Sequence, residues 1–166
     1  MTCATHDHDE CIEHALARAE SICREAGARL TPIRRQVLEE VWASHEATKA
    51  YDLIERLSRH GGQVKPPTVY RALDFLLAQG LIHRIESLNA FIGCAHPQEP
   101  HHAILLICGQ CGDIEERSSD RVHAELGRLA ADSGFTVRAE IIELRGICQQ
   151  CRDAAERAPA DETRDE

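Results

Sequence analysis

The stretch "KPPTVYRALDFLLAQGLIHRI", residues 65–85, decides the fold. Pro66 and Pro67 suit the first positions of a helix, where a missing backbone N–H is harmless. Val69, Leu73, Leu76 and Leu77 then recur at helical spacing as a stripe to be buried, and Gly80 stops the run. The opposite face keeps Thr68, Tyr70 and Arg71. After Gly80 two short β-prone runs, "LIHRI" and "AFIGC", are joined by "ESLN", the pattern of a hairpin. Two amphipathic helices precede this unit. "RLTPIRRQVLEEVWASH" starts with Thr31 as N-cap and Pro32 at the first helical position, and carries Val37, Leu38, Val41 and Trp42 on one face. "TKAYDLIERLSRHGG" carries Leu53, Ile54 and Leu57 and stops at Gly61 and Gly62. Three helices followed by a hairpin point to a winged helix-turn-helix, with a generic small α+β domain as the competing reading.

Charge is distributed to match. The formal net charge is −9, which argues against a polyanionic partner for the chain as a whole. Residues 24–86, however, hold 10 Lys and Arg against 8 Asp and Glu, net +2, while the remainder holds 9 against 20, net −11. A mildly basic segment in an acidic protein can meet a polyanion with one face while the rest limits non-specific adhesion.

"AHPQEPHH", residues 95–102, reads as a linker. Beyond it, "AILLIC" fits a buried strand and "DIEER" its neighbour, "SDRVHAELGRLAADSG" a helix with Val122, Leu126 and Leu129 on one side, and "FTVRAEIIELRG" a strand with Phe135, Val137, Ala139 and Ile141 alternating inward. "AAERAPADETRDE" is charged and has little to bury. The expected organisation is a flexible tail over 1–11, a winged-helix domain over 12–94, a hinge over 95–101, a small α/β domain over 102–152 and a disordered tail over 153–166. No run approaches the roughly 20 apolar residues of a membrane span. "MTCATHDHDECIEH" lacks the basic start and apolar stretch of a secretory signal, so a cytoplasmic location is expected.

In that reducing compartment the 8 cysteines read as metal ligands or reactive thiols before disulfides. Cys108, Cys111, Cys148 and Cys151 form two CxxC pairs separated by 36 residues. Each CxxC turn brings two sulfurs to one ion, and two turns complete a closed tetrahedral four-thiolate site, for which zinc fits best. Redox CxxC motifs and an iron–sulfur cluster are the rivals. His83, Cys94, His96, His101, His102 and Glu116 form a second group of donors around the hairpin, the linker and the strands after it. An ion held there by both halves would fix their relative orientation. His6, His8, Cys11 and His14 in "HDHDECIEH" are weaker candidates, for loose chelation. A zinc enzyme is the reading of another class, but neither an HExxH helix nor an HxE paired with PCxxC is present.

"LTPIRRQVLEEV", "AYDLIERL", "KPPTVYRALDFLLAQGLIHRIES" and the two CxxC pairs together resemble the ferric uptake regulator family of bacterial metal-responsive repressors, and within it the zinc uptake regulator branch, over residues 12–152. The resemblance implies a homodimer in which winged helices bind a pseudo-palindromic, A·T-rich DNA operator, with metal as corepressor and no small organic substrate. It implies at least two zinc ions per subunit: a structural ion on Cys108, Cys111, Cys148 and Cys151, and a regulatory ion on His83, Cys94, His101 or His102, and Glu116. On the DNA side it matches Tyr70 and Arg71, with Tyr51 on the preceding helix and Lys65 and Thr68 positioning the backbone. The iron-sensing branch carries "HHHDH" before its first CxxC, whereas "PHHAILLIC" stands here, which favours zinc and leaves His123 as the candidate for a further regulatory site. An iron-, manganese- or redox-responsive repressor on the same fold is the alternative.

Overall fold

The computed structural model describes residues 8–43, 46–61, 64–97 and 102–157, with positions 8, 9, 60 and 61 described in their backbone only. The first half holds α1 (His8–Glu25), α2 (Pro32–Trp42), β1 (Thr48–Lys49), α3 (Ala50–Gly61), α4 (Pro66–Ala78), β2 (Ile82–Ile85) and β3 (Ala90–Gly93). The second holds β4 (Ala103–Cys108), β5 (Ile114–Ser118), α5 (Asp120–Asp132), β6 (Ile142–Gly146) and α6 (Gln149–Arg157). Each half has one three-stranded sheet, ordered β1-β3-β2 and β5-β4-β6.

The stripe read on residues 65–85 is the centre of the main core. Val69, Ala72, Leu73 and Leu76 of α4 are buried against Val37, Leu38 and Val41 of α2 and Leu53 and Leu57 of α3. Gly80 adopts a positive φ of 66° while the Leu81 N–H returns to the Leu76 carbonyl at 2.9 Å, so the chain leaves α4 at once into β2. Thr31 stands at the N-cap of α2 as expected, yet its side chain makes no capping bond, and the start rests on Pro32. Two elements of this half were not read from the sequence. One is α1, which places Leu16, Ala19 and Cys23 in the core and starts at His8, inside the segment expected to be a tail. The other is β1, a two-residue strand that pairs with β3.

A second, smaller core joins the halves. Ile85 of β2 is buried with Leu105 and Ile107 of β4 and Ile114 of β5, and Ala47, Leu88 and Ile92 pack onto it. An isolated bridge between Glu46 and Asp113 runs alongside. Residues 98–101 of the expected hinge lie outside the described residues.

The last strand differs from expectation. Only Ile142–Gly146 forms β6, parallel to β4, and residues 135–141 are not strand. Ladder pairing begins at Ile142 with Ile104, one residue into β4, and among the described residues nothing continues β4 backwards to receive the earlier amides. Phe135, Val137 and Ile141 are exposed as a result. The stretch 153–157, expected to be disordered, continues α6, which grows directly out of the second CxxC turn; residues 158–166 lie outside the described residues. Among the described residues no helix is long and apolar enough to cross a membrane.

Gly93 ends β3 beneath the Trp42 ring, where a Cβ would come within 2.2 Å of an indole carbon. Gly93→Ala is expected to lose about 1–3 kcal/mol of stability, as overpacking of a closed core does, measurable as a lower denaturant midpoint at unchanged slope.

Candidate metal centres and nucleic-acid face

The four CxxC cysteines meet as the spacing requires. Cys108 ends β4, Cys111 follows in the turn to β5, Cys148 follows β6 and Cys151 lies in α6, so the parallel pairing of β4 with β6 brings the two turns together. All are thiols, and the Sγ–Sγ distances are 3.9 Å for Cys108–Cys151 and 3.7 Å for Cys111–Cys148. Disulfide sulfurs would be about 2.05 Å apart. A tetrahedron with Zn–S bonds of about 2.3 Å has edges of about 3.8 Å, so the residues fit a four-thiolate ion. The electrostatics agree. Backbone N–H groups of Cys111, Cys148 and Gln110 lower the Cys108 thiol to about 6, while hydrogen bonding with Cys111 and Cys148 raises Cys151 to about 12. Four sulfurs this close do not all ionise without a cation among them.

The second group assembles at the junction of the halves. His83 comes from β2, Cys94 follows β3 and Glu116 comes from β5; their ligand atoms lie within 4.8 Å of one another. Glu116 organises the group. Its Oε1 stands 3.1 Å from His83 Nε2 and accepts from Cys94 Sγ at 3.9 Å, while Oε2 accepts from the Ala95 N–H at 3.1 Å. Cys94 is buried; burial first and the Glu116 charge second push its thiol up to about 12.

His102 does not join that trio. Its ring lies against that of His123 on α5, centroids 3.5 Å apart, and His123 Nδ1 pairs with Glu140 Oε2 at 2.8 Å. These three make a further candidate cluster, and His123 Nε2 is buried with no hydrogen-bond partner among the described residues. Glu140 was missed from the sequence because it read as the outward position of a long strand; without that strand it turns to His123. His101 lies outside the described residues. His96 is exposed and is not among the converging donors. Of the N-terminal candidates, His14 pairs with Glu10 on α1 at 4.0 Å; His6 and the side chain of His8 lie outside the described residues.

On α4 the stripe that buries Val69, Ala72, Leu73 and Leu76 leaves Lys65, Thr68, Tyr70 and Arg71 exposed together at its N-terminal end, and Tyr51 is exposed at the start of α3. Thr68 and Arg71 line a cleft with Thr31 and Arg34 of the α2 start. Arg34 is itself stacked over Phe75 at 3.5 Å, which fixes one wall of that cleft.

Residues 25–145 match the profile of the Ferric uptake regulator family. The chain belongs to that family. It is 42% identical over 140 residues to the zinc uptake regulation protein of Escherichia coli K12, covering 84% of this chain and 82% of that protein. Among solved structures it is similar to a zinc uptake regulator complexed with zinc and DNA, with a TM-score of 0.83 at 40% identity, covering 87% of this chain and 97% of that one. Holo XcZur follows at a TM-score of 0.78 and 39% identity, covering 83% and 96%. Apo XcZur, also 39% identical and covering 85% and 97%, superposes with a TM-score of only 0.50. Identity being equal, the difference lies in the arrangement of the chain, and the arrangement here is that of the holo and DNA-bound relatives.

Because the metal-free Cys94 thiol is protonated at neutral pH, zinc uptake at this trio is expected to release about one proton from it and to weaken as pH falls. Calorimetric titration in buffers of different ionisation enthalpy measures that proton.

Proposed function

We propose that this chain is a zinc-responsive, DNA-binding transcriptional repressor of zinc uptake genes, working as a homodimer with zinc as corepressor. The observation that carries the reading is the trio of His83, Cys94 and Glu116, which draws donors from both halves in a chain arranged like its holo relatives. In this reading Cys108, Cys111, Cys148 and Cys151 hold a structural zinc that binds only the folded C-terminal half. His83, Cys94 and Glu116 hold the sensing zinc, with His101 as the fourth ligand, since His102 is engaged with His123 and Glu140. A bound ion there supplies one thing, a fixed orientation of the winged half on the other. Thiolate with imidazole favours zinc over iron or manganese. The high Cys94 pKa keeps it a thiol and opposes oxidation sensing.

Lys65, Thr68, Tyr70 and Arg71 then present α4 to the major groove of an A·T-rich operator, with Tyr51 beside it. Arg71 is suited to guanine O6 and N7, and Tyr70 to a thymine methyl or a phosphate. Apart from Tyr51 and Tyr70, the exposed large apolar side chains of the described residues all lie between Val122 and Ile147. A face of that size in one half supports dimerisation through α5 and the 135–141 segment, and the two-fold symmetry supports a pseudo-palindromic site. The residues are organised for binding metal and DNA and not for turnover, and an operator-binding role places the protein in the cytoplasm. The domain limits follow: a winged-helix half ending near Cys94 and a dimerisation half from His102 to Arg152.

Fluorescence anisotropy on a promoter palindrome, titrated with buffered zinc, iron and manganese, tests the reading. Wild type is expected to bind at or below about 1 nM free zinc, and Cys94→Ser to lose that response; a response to iron or manganese instead, or none at all, would overturn it. Leu129→Asp with Val137→Asp is expected to give monomers by sedimentation and to weaken operator binding at least about a hundredfold, since one molecule then holds only one half-site.

A further inference from the structure

The wing is fastened to the C-terminal half at a second place, away from the metal donors. The turn between β2 and β3 runs through Glu86, Ser87, Leu88 and Asn89. Its four amides divide cleanly. Leu88 and Asn89 donate within the turn, to the carbonyls of Ile85 and Glu86, each at 3.3 Å. Glu86 and Ser87 donate out of it, to the carboxylate of Glu143 on β6: the Glu86 N–H to Oε1 at 2.6 Å and the Ser87 N–H to Oε2 at 3.2 Å. One carboxylate thus receives two successive backbone amides, from residues 57 and 56 positions away in sequence. Charge-assisted bonds of this kind are about twice as strong as neutral ones. Burial pushes the Glu143 carboxyl up, but hydrogen bonds from the Ser87 side chain and from the two amides outweigh it, so the group is held below its ordinary value and stays ionised.

The place of this contact gives it a role. Glu143 pairs with Leu105 of β4, and Leu105 is buried with Ile85 and Leu88, the residues that flank the donating amides, in the core shared by the two halves. The clasp therefore closes over the rim of that core and holds the hairpin tip against the C-terminal sheet. Its bonds span the two halves in an arrangement that superposes on holo XcZur with a TM-score of 0.78 and on apo XcZur with 0.50.

We propose that Glu143 is a positioning residue for operator binding, a carboxylate clasp on the wing turn that favours the DNA-ready arrangement of the two halves and so lowers the zinc needed to reach it. The proposal rests on the reading of the chain as a zinc-responsive repressor. An equilibrium between arrangements shifts by the free energy of contacts present in only one of them, and the apparent affinity for DNA follows the population of the competent one.

Hydrogen exchange of the zinc-loaded, full-length protein reads the clasp, and anisotropy on the operator reads its consequence. The amides of Glu86 and Ser87 are expected to be protected in wild type and to exchange about tenfold faster in Glu143→Ala. Glu143→Gln, which keeps one acceptor oxygen, falls between. Operator affinity and the free zinc at half-saturation should worsen by a similar factor, about tenfold, in Glu143→Ala. Zinc stoichiometry and dimer sedimentation should not change. Equal exchange in wild type and variant, or unchanged operator binding, would overturn the proposal. So would a Glu143→Ala protein that loses zinc or dimerisation, because the residue would then serve folding in general. If wild type itself ignored DNA and zinc, the functional reading would fall, and the exchange rates alone would still decide whether the clasp exists.

Discussion

One carboxylate, that of Glu116, sets the relation between the halves. It projects from β5 of the C-terminal sheet, yet its partners are His83 on the hairpin, the Cys94 thiol and the Ala95 amide just beyond the hairpin. A largely buried carboxylate is costly without compensation, and His83, Cys94 and the Ala95 amide, which compensate this one, belong to the other half. The apolar contacts of Ile85 with Leu105, Ile107 and Ile114 then close around the same junction. In the proposed reading a metal ion would replace the proton on Cys94 and bind the same residues, so a change of zinc concentration would act at the junction that joins the halves.

The distribution of charge is consistent with that division of labour. The recognition face of α4 offers Lys65, Thr68, Tyr70 and Arg71 to solvent, while acidic residues dominate outside residues 24–86. A molecule of net −9 is repelled by DNA at long range, so the proposed operator binding would depend on bringing two α4 faces to the duplex in the correct relation. Orientation, and not charge alone, becomes the controlled variable. That is why contacts between wing and C-terminal sheet, metal-bearing or not, matter for the function proposed.

Among the described residues the C-terminal half leaves a broad apolar surface exposed. α5 buries none of its residues, and Leu129, Phe135 and Ile141 are 63%, 68% and 59% exposed. Exposure of that extent on one half is the feature on which the proposed dimerisation rests. The 135–141 segment has the alternation of a strand and yet forms none, because the β4–β6 ladder begins only at Ile142.

What the sequence determined by itself had a short-range cause, although the equally local helix α1 went unread. Prolines at a helix start, a stripe at helical spacing and a glycine stop placed α2, α3 and α4 and the hairpin, because capping and periodicity act within a turn or two of chain. The two CxxC pairs pointed to one four-thiolate site because each needs only its own turn and one partner turn. Tertiary structure alone decided the contacts that depend on which strands become neighbours. It sent His102 to His123 and Glu140 and away from Glu116, it began β6 only at Ile142, opposite the start of β4, and it set Glu143 beneath the wing turn. Those outcomes rest on the parallel pairing of β4 with β6 and on the core between the sheets, and long-range pairing leaves no periodic mark in the residues it joins.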